Sequence, residues 1–392
     1  MQINNILGRP AMGRDFYNRV SEQSRFWRRL NSDNILLLAP RRVGKTSLLR
    51  RLEATADQHP FRAIYVSVAD RTREIDFILK LYEALAKQDG GSHAIAAALG
   101  KVQRRLPKLK KLELAKIVTA EFADNSVDQW RELADALMSA LRTTDHQWVF
   151  LLDEFPLFVL AMLGHEHGRE RTRMFLNWFR ETRIDDAAGL SARWVVAGSI
   201  GLDTVTARER LGDTINDFAV EKLGPFSRED ADRFLCRLAD SHRITLHDHV
   251  RALILGRIDW LIPYHLQLLF SALLDLDLQE PSASDVERAY QALLAPAQKS
   301  SFDWWVQRLH DELGSVDADH AFAVLAAVVR DPNGASSDTL TGVLHSRQLT
   351  DNVRHRFLLD ALENDGYLVM KDHRYLFRSP LLRDYWRTRV LS

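Results

Sequence analysis

Residues 35–47 read Ile35-Leu-Leu-Leu-Ala-Pro-Arg-Arg-Val-Gly-Lys-Thr-Ser47, and they are the most informative part of the chain. Its first four residues are apolar without alternation, which predicts a short strand that is buried on both faces. A turn over 39–44 follows, and Lys45 opens a predicted helix over 46–52. A buried strand, a glycine-containing turn and a helix in this order are typical of a loop that binds phosphate groups.

The residue types of this turn suit a polyphosphate. The N-terminus of a helix offers unpaired N–H groups and the positive end of a dipole to anionic oxygens. Gly44 lets the backbone approach closely, Lys45 reaches the β and γ phosphates, and the Thr46 hydroxyl can hold Mg²⁺. The usual motif begins with Gly, and Ala39 is the smallest alternative at that position. The predicted nucleotide-binding residues of the loop are Ala39, Pro40, Arg41, Arg42, Val43, Gly44, Lys45, Thr46 and Ser47.

A second apolar run ends in two carboxylates. Residues 148–152 predict another buried strand, and Asp153 and Glu154 follow it directly. Ligands of open α/β sheets lie outside the carboxyl ends of the strands, where Lys45 is also expected. We therefore predict that Asp153 holds Mg²⁺ and that Glu154 orients and deprotonates the attacking water. The alternative is an acidic cap for the following helix, since Pro156 suits a first helical turn.

Two further segments predict strands of the same sheet. Residues 61–68 are rich in β-branched and aromatic residues, and residues 194–199 end in a small hydroxyl residue, Ser199. Ser199 is placed where it could touch the γ-phosphate or the attacking water, although Gly-Ser after a strand is commonly just a turn. Together these runs predict an α/β fold around a parallel sheet.

The motifs, in this order and spacing, resemble those of the archaeal-type ATPases of the AAA+ superfamily, close to the signal-transducing STAND ATPases and to origin-recognition-type initiators. The similarity implies a P-loop AAA+ core, a helical lid, bound ATP and Mg²⁺, and ATP hydrolysis. Besides the phosphate loop, it rests on Gly13–Arg19, Leu152–Phe155, Gly198–Gly201, Leu223–Ser227 and Trp260–Gln267.

The resemblance also implies roles for residues outside the loop. Arg19 ends a box that lies against the nucleotide base in such proteins, and Pro263 belongs to the lid motif that closes over adenine, although Leu261 replaces the Gly of that motif. Arg208 and Arg210 follow the sensor strand, where the family places an arginine finger that acts on a neighbouring subunit. An arginine acting in trans would imply a homo-oligomer that assembles on ATP, whereas two solvated surface charges would not.

Composition narrows the classes of partner. The chain has 392 residues, enough for two or three domains, and 53 basic against 53 acidic residues. With zero net charge, no global field draws it to nucleic acid or to a membrane. The single cysteine, Cys236, excludes an intrachain disulfide framework and suits a reducing cytoplasm. A basic stretch over 101–111 could meet a phosphate backbone or form an ordinary solvated surface.

Three domains are predicted: a P-loop ATPase core over 1–225, a helical lid over 226–296 and a winged-helix domain over 297–392. The last is expected from helical patterns, a short hairpin and a closing helix. The helices are predicted over 302–309, 321–329, 337–345 and 352–364, the hairpin strands over 367–371 and 374–377, and the closing helix over 380–390.

Two functions remain open at this level. The first is an ATPase switch in which Mg²⁺-dependent hydrolysis moves the lid and the winged helix relays the change to a protein or DNA partner. The second is a DNA-binding regulator whose nucleotide site is largely structural or slow. The third winged-helix helix begins with Arg354, His355 and Arg356 but continues with Asp360 and Glu363, so it offers few phosphate contacts.

Overall fold

A computed structural model describes residues 2–88, 127–142, 144, 146–184, 192–198, 201–295 and 302–390. The chain forms two compact units. The sheet unit comprises Arg19–Leu38 and Leu48–Lys222, and the lid unit comprises Met1–Asn18, Ala39–Ser47 and Leu223–Ser392. The predicted domain boundaries at 225/226 and 296/297 stay predictions, and the basic stretch over 101–111 lies outside the described residues.

The sheet unit is built on five parallel strands in the order β2-β3-β4-β1-β5. The four predicted strands are confirmed, and a fifth strand pairs with the outer edge of β1. The strands are β1 (Ile35–Leu38), β2 (Phe61–Ser67), β3 (Gln147–Asp153), β4 (Ala192–Ala197) and β5 (Ala219–Lys222). The chain leaves β1, crosses to β2 at the far edge and returns through β3 to β4, which lies beside β1, and β5 then pairs with the other side of β1.

The fifth strand has no apolar run that would predict it. Its sequence is Ala-Val-Glu-Lys, and Glu221 points into the protein rather than into water. The buried Glu221 carboxylate pairs with the guanidinium groups of Arg25 and Arg29 on the first helix. A buried charge persists only when it is paired, so these two arginines allow a charged residue at this position.

Helices cover the sheet and share one apolar core with it. Phe150 of β3 and Trp194 of β4 stack with ring centres 4.7 Å apart, and Phe77, Phe155 and Phe175 belong to an aromatic cluster in the same core. The helices of this part are α1 (Val20–Leu30), α2 (Lys45–Thr55), α3 (Glu74–Ala86), α4 (Val127–Leu141), α5 (Phe155–Leu163), α6 (Gly168–Ile184) and α7 (Leu202–Arg208). Helix α2 begins in the lid unit and continues in the sheet unit.

The first part of the lid unit after the sheet is helical, as predicted. Ser227 caps its first helix by accepting a hydrogen bond from the backbone N–H of Asp230 at 3.0 Å, and Pro263 starts the third helix in its first turn. The four helices are α8 (Arg228–His242), α9 (Asp248–Ile258), α10 (Pro263–Leu274) and α11 (Ala283–Leu293).

The C-terminal part has a winged-helix arrangement. The predicted helices over 302–309 and 321–329 lie in one long element that bends at Gly314, where the backbone has a φ of 76°. A three-stranded antiparallel sheet in the order β6-β8-β7 forms the wing. The elements are α12 (Asp303–Arg330), β6 (Ala335–Ser336), α13 (Ser337–Ser346), α14 (Asn352–Asn364), β7 (Leu368–Lys371), β8 (Arg374–Phe377) and α15 (Pro380–Tyr385).

The two-residue strand β6 is too short to predict from sequence, and the expected closing helix is regular only to Tyr385. Among the described residues, none of the helices has the length and apolarity needed to span a bilayer.

A buried ion pair fastens α6 to the segment that precedes β5. Arg183 has no side-chain exposure and donates to both carboxylate oxygens of Asp217 at 2.7 and 2.8 Å and to the carbonyl of Thr214 at 2.7 Å. Its guanidinium lies between the rings of Phe179 and Phe218, 4.5 and 4.1 Å from their centres.

We expect Asp217→Ala to lower the free energy of unfolding by roughly 3–5 kcal/mol, because Arg183 is left as a buried, unpaired cation. The control is Asp213→Ala, whose partner Arg173 is exposed and whose loss should cost less than about 1 kcal/mol. Denaturant unfolding of the two variants measures the difference, and equal losses would contradict this assignment.

Candidate functional site

The backbone of the phosphate loop has a conformation at position 44 that favours glycine. Gly44 has a φ of 101°, a region that favours glycine, and Arg42 also has a positive φ, 64°. A Cβ built on Gly44 would meet no atom within 4 Å, so the backbone faces open space at this point. An anionic oxygen could therefore approach the main chain here, as nucleotide binding needs.

Lys45 is buried to 7% exposure, and its ammonium group turns back onto the loop. Its Nζ donates to the carbonyls of Ala39 at 2.8 Å and Pro40 at 3.1 Å. Phosphate oxygens would form stronger, charge-assisted bonds with the same donor. The loop residues and the half-buried Thr46 hydroxyl next to Lys45 thus suit a phosphate group and its metal ion.

The loop also contacts the rest of the lid unit. The Arg42 guanidinium lies 4.4 Å from the ring centre of Tyr264 on α10 and 5.2 Å from that of Trp304 on α12, and Arg41 lies 6.0 Å from Trp304. A Cβ on Gly366, after α14, would lie 3.1 Å from the Cβ of Pro40. Three separate elements therefore meet one turn of six residues.

Asp153, at the carboxyl end of β3, is the acid that sequence predicts as a metal ligand. Its side chain is 2% exposed, and a carboxylate at this depth needs hydrogen-bond donors. The backbone N–H of Glu154 donates to Oδ1 at 3.1 Å, and the hydroxyl of Tyr65 donates to Oδ2 at 2.9 Å. Burial and the charge of Asp153 raise the pKa of Tyr65 well above its usual value, so the phenol stays protonated. The oxygen ligands present suit Mg²⁺.

Glu154 occupies the position before the first residue of α5, with a φ of 58°. The alternative reading as an acidic cap predicts a side-chain hydrogen bond to the start of this helix, and the Glu154 side chain makes none. A non-glycine residue in the left-handed region costs about 1–3 kcal/mol, and such residues cluster at functional sites. The geometry therefore favours a role for the Glu154 side chain other than capping.

The remaining predicted residues have differing surroundings. Arg19, with a φ of 66°, is 6% exposed, and its guanidinium pairs with Glu22 at 2.8 Å. Arg208 pairs with its neighbour Glu209 at 2.9 Å. Arg210 is exposed, and the finger role of either arginine stays a prediction. Ser199 lies outside the described residues.

Sequence reasoning assigned no role to Tyr65 or Trp304. Tyr65 stands in a predicted strand, but its contact with Asp153 depends on β2 lying beside β3 with Ser67 opposite Asp153. Trp304 meets the loop only because α12 and α10 both pack around it. Neither contact has a local signal, because each joins segments far apart in the chain.

No protein-family model and no curated protein matches this sequence. Solved structures do match it. The chain superposes on the Walker-type ATPase PABY2304 of Pyrococcus abyssi with a TM-score of 0.64 at 18% identity, over 98% of this chain and 99% of that chain. The ORC2 protein of Aeropyrum pernix, in its ADPNP–ADP complexes, gives 0.54 at 15% identity, over 97% and 98%. These likenesses show that the chain shares the fold of these two proteins.

His265, in the lid motif, packs in the interior. It is fully buried, with its ring centre 5.6 Å from that of Trp260, its Nδ1 3.5 Å from the hydroxyl of Ser379, and no partner for Nε2 among the described residues. Burial lowers the pKa of His265 from 6.5 to about 3. The imidazole is therefore neutral in the folded protein and serves as a core residue.

This burial predicts a pH-dependent stability. The unfolded chain binds a proton at His265 below pH 6.5, whereas the folded chain does so only near pH 3, so the stability falls as the pH falls between these values. Relative to His265→Leu, the wild-type free energy of unfolding should drop by about 1.4 kcal/mol per pH unit from pH 6 to pH 4. Chemical denaturation across this range measures the slope. The exposed His165, changed to Leu, is the control, and a slope equal to that of the control would refute the burial effect.

Proposed function

We propose that this chain is an ATP-binding AAA+-type ATPase whose Mg²⁺-dependent hydrolysis drives a conformational switch that is relayed to a protein partner. One observation carries the proposal: the loop that would hold the phosphates is in contact with both the lid helices and the winged-helix part. Arg42 lies against Tyr264 and Trp304, and Pro40 lies against Gly366. A ligand that reshapes this loop would alter those contacts.

The roles proposed for the side chains follow from their chemistry. Lys45 donates to the β and γ phosphate oxygens once it exchanges its bonds to the carbonyls of Ala39 and Pro40 for bonds to them. Thr46 and Asp153 would hold Mg²⁺, which neutralises charge on those oxygens. Glu154 orients a water molecule and takes its proton as the oxygen of that water bonds to the γ-phosphorus and the bond to ADP breaks.

Other contacts complete the proposed site. Arg210 from a neighbouring copy would stabilise charge on the transferred group, which implies a homo-oligomer that forms on ATP. Ser199 would contact the γ-phosphate or the water. Arg19, which pairs with Glu22 at 2.8 Å, and Pro263 would lie at the nucleotide base.

The alternative, a DNA-binding regulator, has weaker support from the winged helix. Two of the three basic residues that start α14 are engaged: Arg354 pairs with Asp317 at 2.8 Å, and His355 is buried and bonded to the carbonyl of Leu349 at 2.6 Å. On the wing, Arg374 pairs with Asp331 at 2.8 Å. Phosphate contacts supply most of the affinity for DNA, so this surface favours a protein partner.

The first test separates binding from hydrolysis. We expect Lys45→Ala to weaken ATP binding at least about 100-fold, since two charge-assisted hydrogen bonds contribute roughly 3 kcal/mol or more. Glu154→Gln should keep ATP binding and lower steady-state hydrolysis by about 100-fold or more, because the general base is lost. Calorimetric titration and phosphate release measure the two effects.

The matched control for that test is Glu166→Gln, which alters an exposed carboxylate and should leave both quantities unchanged. A Lys45→Ala protein that binds ATP as tightly as the wild type would overturn the assignment of the phosphate loop.

The second test concerns the relay. If ATP binding changes the contact between Arg42 and Trp304, it should change the tryptophan fluorescence, and Trp304→Phe should remove most of that change. We expect ATP affinity to fall by less than about 30-fold, since a cation–π contact contributes roughly 0.5–2 kcal/mol. Trp130→Phe, in the core of the sheet unit, is the control and should keep the signal. An unaltered signal in Trp304→Phe would exclude this route.

A further inference from the structure

Tyr65 lies on β2, the edge strand of the described sheet, close to the carboxyl end of the neighbouring strand β3. In the pairing of these strands, Tyr65 lies opposite Leu151 and Ser67 lies opposite Asp153. The Tyr65 ring therefore starts one pleat before the end of β3, and its hydroxyl reaches Oδ2 of Asp153 at 2.9 Å. No sequence motif of the phosphate site includes this residue.

The Tyr65 side chain is held in place from the side of α2. The backbone N–H of Tyr65, on the outermost strand of the described sheet, donates to Oε1 of Glu53 at 2.9 Å. The guanidinium of Arg50 lies 3.6 Å from the centre of the tyrosine ring, and Arg50 pairs with Glu53 at 3.0 Å. Ring and backbone are thus fixed by two residues of one helical turn, so the hydroxyl has a defined position.

The Asp153 carboxylate is consequently bonded at both oxygens. The backbone N–H of Glu154 holds Oδ1, and the Tyr65 hydroxyl holds Oδ2. Rotation of the carboxylate about its last bond would disturb these hydrogen bonds, so the two donors restrain its orientation. The two oxygens of a carboxylate have about four lone-pair sites, so hydrogen bonds to both oxygens are compatible with binding of a cation.

We propose that Tyr65 is a positioning residue for Mg²⁺: its hydroxyl holds the Asp153 carboxylate in the orientation that binds the ion. This inference rests on the proposed function, in which Asp153 is a metal ligand. Partners that orient a ligand commonly change metal affinity by about 10–100-fold when they are removed. Tyr65 does not touch the reacting atoms, so its removal acts through Asp153.

Tyr65→Phe is the test variant, because it deletes one oxygen and keeps the ring that stacks against Arg50. The matched control is Tyr82→Phe. Tyr82 is buried in the sheet unit, and its hydroxyl donates to the carbonyl of Leu133 at 2.9 Å. Each variant loses one hydrogen bond of a tyrosine hydroxyl, so an effect that comes from a general loss of stability would appear in Tyr82→Phe as well, and thermal melts record that loss.

The measurement is the affinity of the full chain for a fluorescent ATP analogue, titrated from EDTA to millimolar Mg²⁺. For Tyr65→Phe we expect the Mg²⁺ concentration at half effect to rise about 10-fold, with an unchanged affinity in EDTA. Tyr82→Phe should match the wild type in both. A Tyr65→Phe protein with the wild-type Mg²⁺ requirement, or with the same shift as Tyr82→Phe, overturns the inference.

A double-mutant cycle gives an independent readout. In an Asp153→Asn background the hydroxyl has no metal-binding carboxylate to orient, so adding Tyr65→Phe should not raise the Mg²⁺ requirement further. Additive effects of the two changes would also overturn the inference. If ATP binding by the wild type does not depend on Mg²⁺, both the proposed function and this inference are wrong. If the wild type depends on Mg²⁺ and Tyr65→Phe has the same Mg²⁺ requirement, only this inference is wrong.

Discussion

A carboxylate buried to 2% exposure can stay charged only where donors replace the water it has lost, and Asp153 shows this constraint at the end of β3. Its two donors come from different sources. One is the backbone of Glu154, held in a left-handed conformation at the start of α5, and the other is the hydroxyl of Tyr65 on the neighbouring strand. The register between β2 and β3 therefore decides the surroundings of the acid on which the proposed metal chemistry depends.

In the lid unit, the charged side chains of the phosphate loop also need partners. The buried ammonium group of Lys45 donates to two carbonyls of its own loop. The guanidinium of Arg42 lies over the rings of Tyr264 and Trp304. A bound phosphate could replace the carbonyl partners of Lys45 or disturb the contacts of Arg42 with the two rings. Under the proposed function, a loop with these contacts would join nucleotide occupancy to the lid helices and to the C-terminal part without a separate signalling element.

In the winged helix, the number of basic residues in the sequence overestimates the surface that is available to bind DNA. Arg354 and His355 are basic residues at the start of the third helix in the sequence, yet Arg354 pairs with Asp317 and His355 bonds to the Leu349 carbonyl. Strand β5 shows the reverse case, because its buried Glu221 gives a charged, strand-poor sequence that only Arg25 and Arg29 make tolerable. In both places a charged side chain pairs with a residue of another element, and no local sequence pattern predicts such a pair.

Local patterns in the sequence predict the α/β class, four strands of the sheet, the helices of the lid, and the helices and hairpin of the C-terminal part, and they single out the loop over 39–47, Asp153 and Glu154 as candidate site residues. These features depend on hydrophobic period, turn chemistry and motif spacing, all of which act over a few residues. Four other features appear only in the folded chain: β5 pairs with β1, Tyr65 bonds to Asp153, Arg42 meets Trp304, and His265 is a neutral core residue. Each of those depends on which distant segments become neighbours, and strand order and helix packing are set by the burial of the whole core rather than by any one stretch of chain.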